Sequence, residues 1–135
     1  MKPVLLAGLV ALGAGAGVYL LSGDKGGDSG SVMVNVTVPP LDAEQQAGAA
    51  AYAQNCASCH GENGAGRDGV GPPLVHIIYE PSHHADGAFY VAVQLGVRAH
   101  HWNFGDMPRQ THVTEGEIAQ IIAYIRALQR ANGID

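Results

Sequence analysis

Cys56-Ala57-Ser58-Cys59-His60 decides how this 135-residue chain is read, because it contains both cysteines the protein has. C-x-x-C-H is the signature of covalent haem attachment. Two residues between the thiols match the spacing of the haem's two vinyl arms, and the histidine that follows is placed to ligate the iron. Three other readings compete: a redox-active C-x-x-C, half of a zinc site, and a chance match. A zinc site calls for a second pair of cysteines or histidines at set spacing. A thioredoxin-like dithiol calls for a βαβ setting. The residues around Cys56 predict helix instead, so haem attachment is the expectation.

Working outward, Asp42 is placed to cap a helix over Ala43–Asn55 that delivers Cys56 at its end. Thr114-Glu115-Gly116-Glu117 reads as a capping box. Behind it Ile118, Ile121, Ile122, Ile125 and Leu128 recur at helical spacing. Arg126 and Arg130 fall in the last turns, where cations suit the helix dipole, and Gly133 follows as a stop. Ser82 is placed to cap a third helix, roughly His83 to Leu95, ended by Gly96. Gly61–Pro73 is rich in glycine and proline and reads as loop. The predicted fold class is all-α, about three main helices wrapped around one covalent haem.

The first 21 residues have a different character. Met1-Lys2-Pro3 precedes eighteen residues without a charge, Val4 to Leu21. That reads as a secretory signal, with Ala14-Gly15-Ala16 as a cleavage site, or as an uncleaved anchor. The apolar run continues through Val18-Tyr19-Leu20-Leu21, longer than most signal cores. At about 1.5 Å per residue it spans ~27 Å, enough for a thin bilayer. An N-terminal transmembrane helix over residues 1–21 is therefore expected, with Lys2 keeping that end in the cytoplasm. Residues 22–31, SGDKGGDSGS, form a Gly/Ser-rich linker with an average reach of ~15–20 Å. Residues 32–41 begin with the β-branched alternation Val32–Val38 and close on Pro39-Pro40, which predicts an extended segment. It would lie as a strip on the head domain or add as a strand to a partner. The head domain is residues 42–135.

Lys2 is the only charged residue before residue 22, so the exported part carries six lysines and arginines against twelve carboxylates. That balance excludes nucleic acid as a partner. With both cysteines in one motif there is no disulfide to hold a head of only ~95 residues, and a covalent haem would supply apolar surface for its core.

Residues 42–132 resemble a class I cytochrome c of the small monohaem bacterial type, and the resemblance extends beyond the haem motif. The family has a glycine and an aromatic four residues later on its first helix, meeting the last helix. Gly48 and Tyr52 occupy those positions, with Ile121 and Tyr124 opposite; the plain alternative is a tolerated helix glycine costing ~1 kcal/mol against alanine. Gly71-Pro72-Pro73-Leu74 is similar to the loop on the histidine side. The resemblance implies that the Pro72 carbonyl accepts the proton on the far nitrogen of His60, which would fix the ring and raise its basicity. It also implies that Met107, in Gly105-Asp106-Met107-Pro108, is the sixth iron ligand opposite His60. A lone methionine is more commonly core filler, but this one stands 47 residues after His60 in a loop before the last helix. Thioether ligation favours ferrous iron and raises the potential relative to two histidines. Tyr79, Arg98 and Trp102 are candidates for the propionate edge.

Six further histidines, His76, His83, His84, His100, His101 and His112, are rivals for the iron. His83-His84 with His100-His101 could also bind copper or zinc. Adjacent residues point in divergent directions, so each pair is expected to offer one useful ligand at most.

If His60 and Met107 fill both axial positions, substrate has no access to the iron. No catalytic constellation is evident elsewhere. The apolar start, together with the resemblance, implies a membrane-tethered, single-pass monohaem carrier with haem c and its iron in the periplasm, on the inner membrane. It would pass single electrons between partners such as a quinol–cytochrome c reductase, a terminal oxidase, a dehydrogenase or a photosynthetic reaction centre. A fixed haem subunit of a larger membrane oxidoreductase is the alternative, favoured by the G-x-x-x-G of Gly13-Ala14-Gly15-Ala16-Gly17. A haem enzyme or gas sensor from which Met107 dissociates is a third.

Overall fold

The computed structural model describes residues 30–135. The apolar run of residues 1–21 and most of the linker lie outside the described residues. Among the described residues no helix is long and apolar enough to cross a membrane.

Four helices run in the order α1 (Ala43–Asn55), α2 (Ala57–His60), α3 (Asp86–Leu95) and α4 (Glu115–Ala131), with 3-10 turns at Glu62–Gly64 and Ile77–Tyr79. No strand forms among the described residues; there are three isolated antiparallel bridges, Val32–Arg67, Arg67–Gly71 and Val97–Met107. Asp42 starts α1 with a capping box: its side chain accepts from Gln45 N at 2.9 Å, and Gln45 Oε1 accepts from Asp42 N at 3.1 Å. Thr114 and Glu117 repeat the device at α4. These boxes satisfy amide donors that helix starts leave without partners.

The core lies between α1 and α4. Ile118, Ile121, Ile122, Tyr124, Ile125 and Leu128 are buried along one side of α4. Gly48 sets how closely the helices approach: a Cβ built there would stand 1.9 Å from the Gln120 carbonyl oxygen. Glycine at this position is a requirement of packing. One turn on, the Tyr52 and Tyr124 rings tilt together with centroids 5.7 Å apart. Burial pushes the Tyr52 phenol far above its ordinary range, so it stays a donor, to the Gly61 carbonyl at 2.8 Å.

Two sequence expectations are corrected here. The third helix begins at Asp86 rather than His83, and Ser82 does not cap it; Ser82 Oγ instead donates to Glu80 Oε1 at 2.8 Å. The Glu80 carbonyl accepts from both His83 N (3.1 Å) and His84 N (2.8 Å), which holds residues 80–84 as a turn. Arg126 is no solvated dipole partner. It is 7 % exposed, and its guanidinium serves four acceptors: Asp86 Oδ1 (2.8 Å), Tyr79 O (2.7 Å), Gln129 Oε1 (2.6 Å) and His84 O (2.5 Å). Its carbon Cζ also lies over the Phe89 ring, 5.0 Å from the centroid. Arg126 thus ties α4 to the start of α3 and to the turn before it.

The extended segment lies on the head. Val34 N donates to Ala65 O at 3.0 Å, and Thr37 exchanges two bonds of 2.9 Å with the Asn132 side chain. Even the last linker residues are tied down: Gly30 N donates to Asp68 O at 2.8 Å, and Asp68 N to Ser31 O at 2.9 Å.

Candidate functional site

α1 ends at Cys56, whose amide still bonds back to Tyr52 O, and the single turn α2 carries the chain through Cys59 to His60. The motif therefore emerges from a helix anchored in the core. His60 Nδ1 donates to the Pro72 carbonyl at 2.9 Å. A carbonyl can only accept, so the other ring nitrogen, Nε2, keeps its lone pair. Burial lowers the His60 pKa, against an opposing contribution from the Pro72 bond, and favours the neutral ring a metal needs. Gly71 lets the proline loop come this close: a Cβ there would stand 2.6 Å from the Cys59 carbonyl oxygen.

Met107 is held from the other side. Gly96, with φ +79°, ends α3 and turns the chain so that Val97 and Met107 exchange backbone bonds of 3.0 and 2.9 Å. A Cβ on Gly96 would stand 2.6 Å from Met107 O. Asp106 Oδ1 fixes the loop opposite by accepting from Ala99 N at 2.8 Å.

Cys56, His60, Pro72 and Met107 line one predominantly apolar cavity of about 560 Å³. That is the size range of pockets that bury a cofactor, roughly 300–1,000 Å³. Cys59 lies beside it, in a smaller recess shared with His60 and Met107. Arg98, Trp102 and Tyr79 line the large cavity too. Among the described residues Trp102 Nε1 is buried without a hydrogen-bond partner, a costly state for a donor unless something with an acceptor shares its space. An apolar disc with carboxylate arms meets these demands: greasy walls, two thiols at one edge, a free imidazole nitrogen, a thioether, and an orphaned indole N–H with an arginine.

The competing readings of the motif fare worse. Burial, with Cys59 adding to it, pushes the Cys56 thiol up to about 11, whereas a reactive dithiol needs a lowered value. Neither cysteine joins a cluster of metal-ligating groups among the described residues.

One such cluster does exist, and it overturns an expectation. His83 and His84 do not diverge: together with His101 they bring three ligand atoms within 4.8 Å of one another. The turn closed on the Glu80 carbonyl holds the adjacent rings edge to face, with centroids 4.7 Å apart. His76 lies against Trp102 at 5.3 Å, and His112 meets Asn55 at 3.1 Å. Arg126, expected at the solvated end of α4, lies on its buried stripe, and its spacing of four from Ile122 is the signal of that in the sequence.

The model of the family described as cytochrome c matches residues 45–129. No curated protein and no solved structure matches the chain. With more than half of its length matched and a cavity of the right chemistry behind its C-x-x-C-H motif, the chain belongs to the cytochrome c family, an electron-transfer haem protein whose cofactor is covalently attached haem c with its iron.

Proposed function

We propose that this protein is a membrane-tethered monohaem carrier of the small bacterial type, shuttling single electrons between respiratory or photosynthetic complexes on the periplasmic face of the inner membrane. In this reading Cys56 and Cys59 would hold the haem by thioether links, and His60 and Met107 would ligate its iron. Pro72 orients His60 through its carbonyl. The haem supplies one-electron chemistry at iron. The polypeptide supplies a dry cavity, a ring fixed in one tautomer and a methionine on a bridged loop.

The observation that carries the reading is that His60 and Met107, from separate segments, line the same apolar cavity. With both residues engaged on the iron, the site would supply one-electron transfer and leave substrate no access. Thioether ligation places the potential above that of a bis-histidine centre. Tethering rests on the sequence of residues 1–31, an apolar run followed by a Gly/Ser-rich stretch. It would keep the head at high effective concentration near its partners.

Fractionation of cells expressing the full chain tests both parts. Haem-stained protein of full length should remain with the inner membrane after a salt wash, and one haem adduct should survive denaturation. A head lacking residues 1–29, exported behind a cleavable signal, should keep its potential but deliver electrons to membranes only when supplied in excess. A mature protein beginning near Val18 would make the segment a signal peptide. Failure of the free head at any concentration would make the protein a fixed subunit of a complex.

A further inference from the structure

Outside the haem cavity's own ligands, the densest group of coordinating side chains is the histidine cluster at its rim. We propose that His83, His84 and His101 form a mononuclear site for a copper or zinc ion beside the haem cavity. The three offer ligand atoms within 4.8 Å of one another, close enough for one ion to bridge them after small side-chain rotations. His100 stands as a fourth imidazole, its ring 4.3 Å from that of His101 and stacked on that of His84 at 6.3 Å.

The rings are presented by a scaffold. His84 Nδ1 donates to the Ile78 carbonyl at 2.6 Å, and His100 Nδ1 to the Arg98 carbonyl at 2.8 Å. Each bond fixes the tautomer and leaves Nε2 with a lone pair, the arrangement by which metal-binding histidines are oriented. The His84 carbonyl is in turn gripped by the buried Arg126 at 2.5 Å. The facing loop is shaped by the bond from Ala99 N to Asp106 at 2.8 Å.

Ligand chemistry selects the ion. Three neutral imidazoles with no carboxylate in the group suit copper or zinc and disfavour calcium and magnesium, which demand oxygen. Three protein ligands leave a fourth position for water or an exchangeable group. His84 and His101 also line the large cavity. An ion held there adds positive charge at the cavity edge, which favours the reduced haem.

Calorimetric titration of the haem-loaded full-length protein in detergent with zinc chloride tests this. Wild type should bind one zinc ion per chain. His83→Gln, His84→Gln and His101→Gln should each weaken binding by ~tenfold or more, which is ~1.4 kcal/mol. His112→Gln, whose histidine meets Asn55 elsewhere, should bind as wild type does. Among the described residues His83 makes no side-chain hydrogen bond, so His83→Gln remains decisive should the His84 variant misfold. Zinc should also raise the reduction potential of wild type and leave that of His83→Gln in place. The proposal is overturned if wild type takes up no zinc, if His83→Gln binds it as tightly as wild type does, or if His112→Gln loses it equally. Binding without a shift in potential would overturn the placement beside the haem.

Discussion

Arg126 and Asp86 meet at 2.8 Å across the boundary between core and solvent: the arginine side chain is 8 % exposed and the aspartate 63 %. The pair is lopsided energetically. Removing Asp86 takes one of four acceptors from the guanidinium, on the side where water can replace it. Removing Arg126 strips partners from Tyr79 O, His84 O and Gln129 together. Asp86→Asn should therefore cost under ~1 kcal/mol, as exposed partners do. Arg126→Met should cost ~3 kcal/mol, because it leaves His84 O and Gln129 Oε1 without this partner and Tyr79 O with only Gln129 Nε2. Arg126→Lys should recover little, since a single ammonium cannot reproduce the fork. Urea denaturation of the haem-loaded variants measures all three, and equal losses for Asp86→Asn and Arg126→Met would refute the asymmetry.

Met107→His should lower the reduction potential while keeping six-coordinate iron, because imidazole stabilises the ferric state more than a thioether does. Oxidised wild type should show the weak long-wavelength sulfur-to-iron band, and the variant should lack it. Absence of the band in wild type would hand the sixth position to a histidine.

Gly48→Ala sets two effects against each other. Alanine gains ~1 kcal/mol of helix propensity. Its methyl carbon, however, would fall 1.9 Å from the Gln120 carbonyl oxygen, a contact relieved only by moving backbone. Overpacking of this kind costs ~1–3 kcal/mol or more, so a net loss of ~2 kcal/mol is expected. A thermal midpoint at or above that of wild type would mean that the helices part without cost.

Glu117 makes the start of α4 sensitive to acid. Hydrogen bonds from the Thr114 amide (2.8 Å) and hydroxyl (2.7 Å) hold its carboxyl below the ordinary 4.5. Folding thus favours the ionised form. The contribution is complete above the unfolded carboxyl's range and is lost as pH falls through the lowered folded value. The difference in thermal midpoint between wild type and Glu117→Ala should be steady near neutrality and shrink below about pH 4. A difference that grew on acidification would contradict this. Thr114→Ala should cost ~1 kcal/mol at neutral pH.

What could be read in the sequence was what local chemistry decides. Asp42 with Gln45 and Thr114 with Glu117 carry their own partners within one turn, so both starts were visible. The stop at Gly96 was equally local. The C-x-x-C-H motif marked the cavity by its own pattern, whereas the proline loop and Met107 were legible only through the resemblance to class I cytochromes c. The start of α3 was not legible, because the turn over residues 80–84 is held by Glu80 from behind and by Arg126 from 42 residues away. Arg126 itself was assigned by its distance from the end of the helix, whereas its role comes from the acceptors that α4 packs against. The convergence of His83 and His84 with His101 depends on two loops flanking α3, a relationship no residue spacing encodes.

The fastening of the N-terminal segment bears on how the head would hang if the proposed anchor holds it. Gly30 and Ser31 are stapled to Asp68, and Thr37 is clasped by Asn132, so the chain is fixed to the head from residue 30 onward, well ahead of α1. Its point of attachment is the Arg67–Gly71 loop, whose arginine grips the Ser58 carbonyl and whose glycine abuts Cys59. Under the proposed tethering, the domain would be held from the flank that carries its cysteines. The bearing the domain turns toward a passing partner is then set by where the strap is pinned.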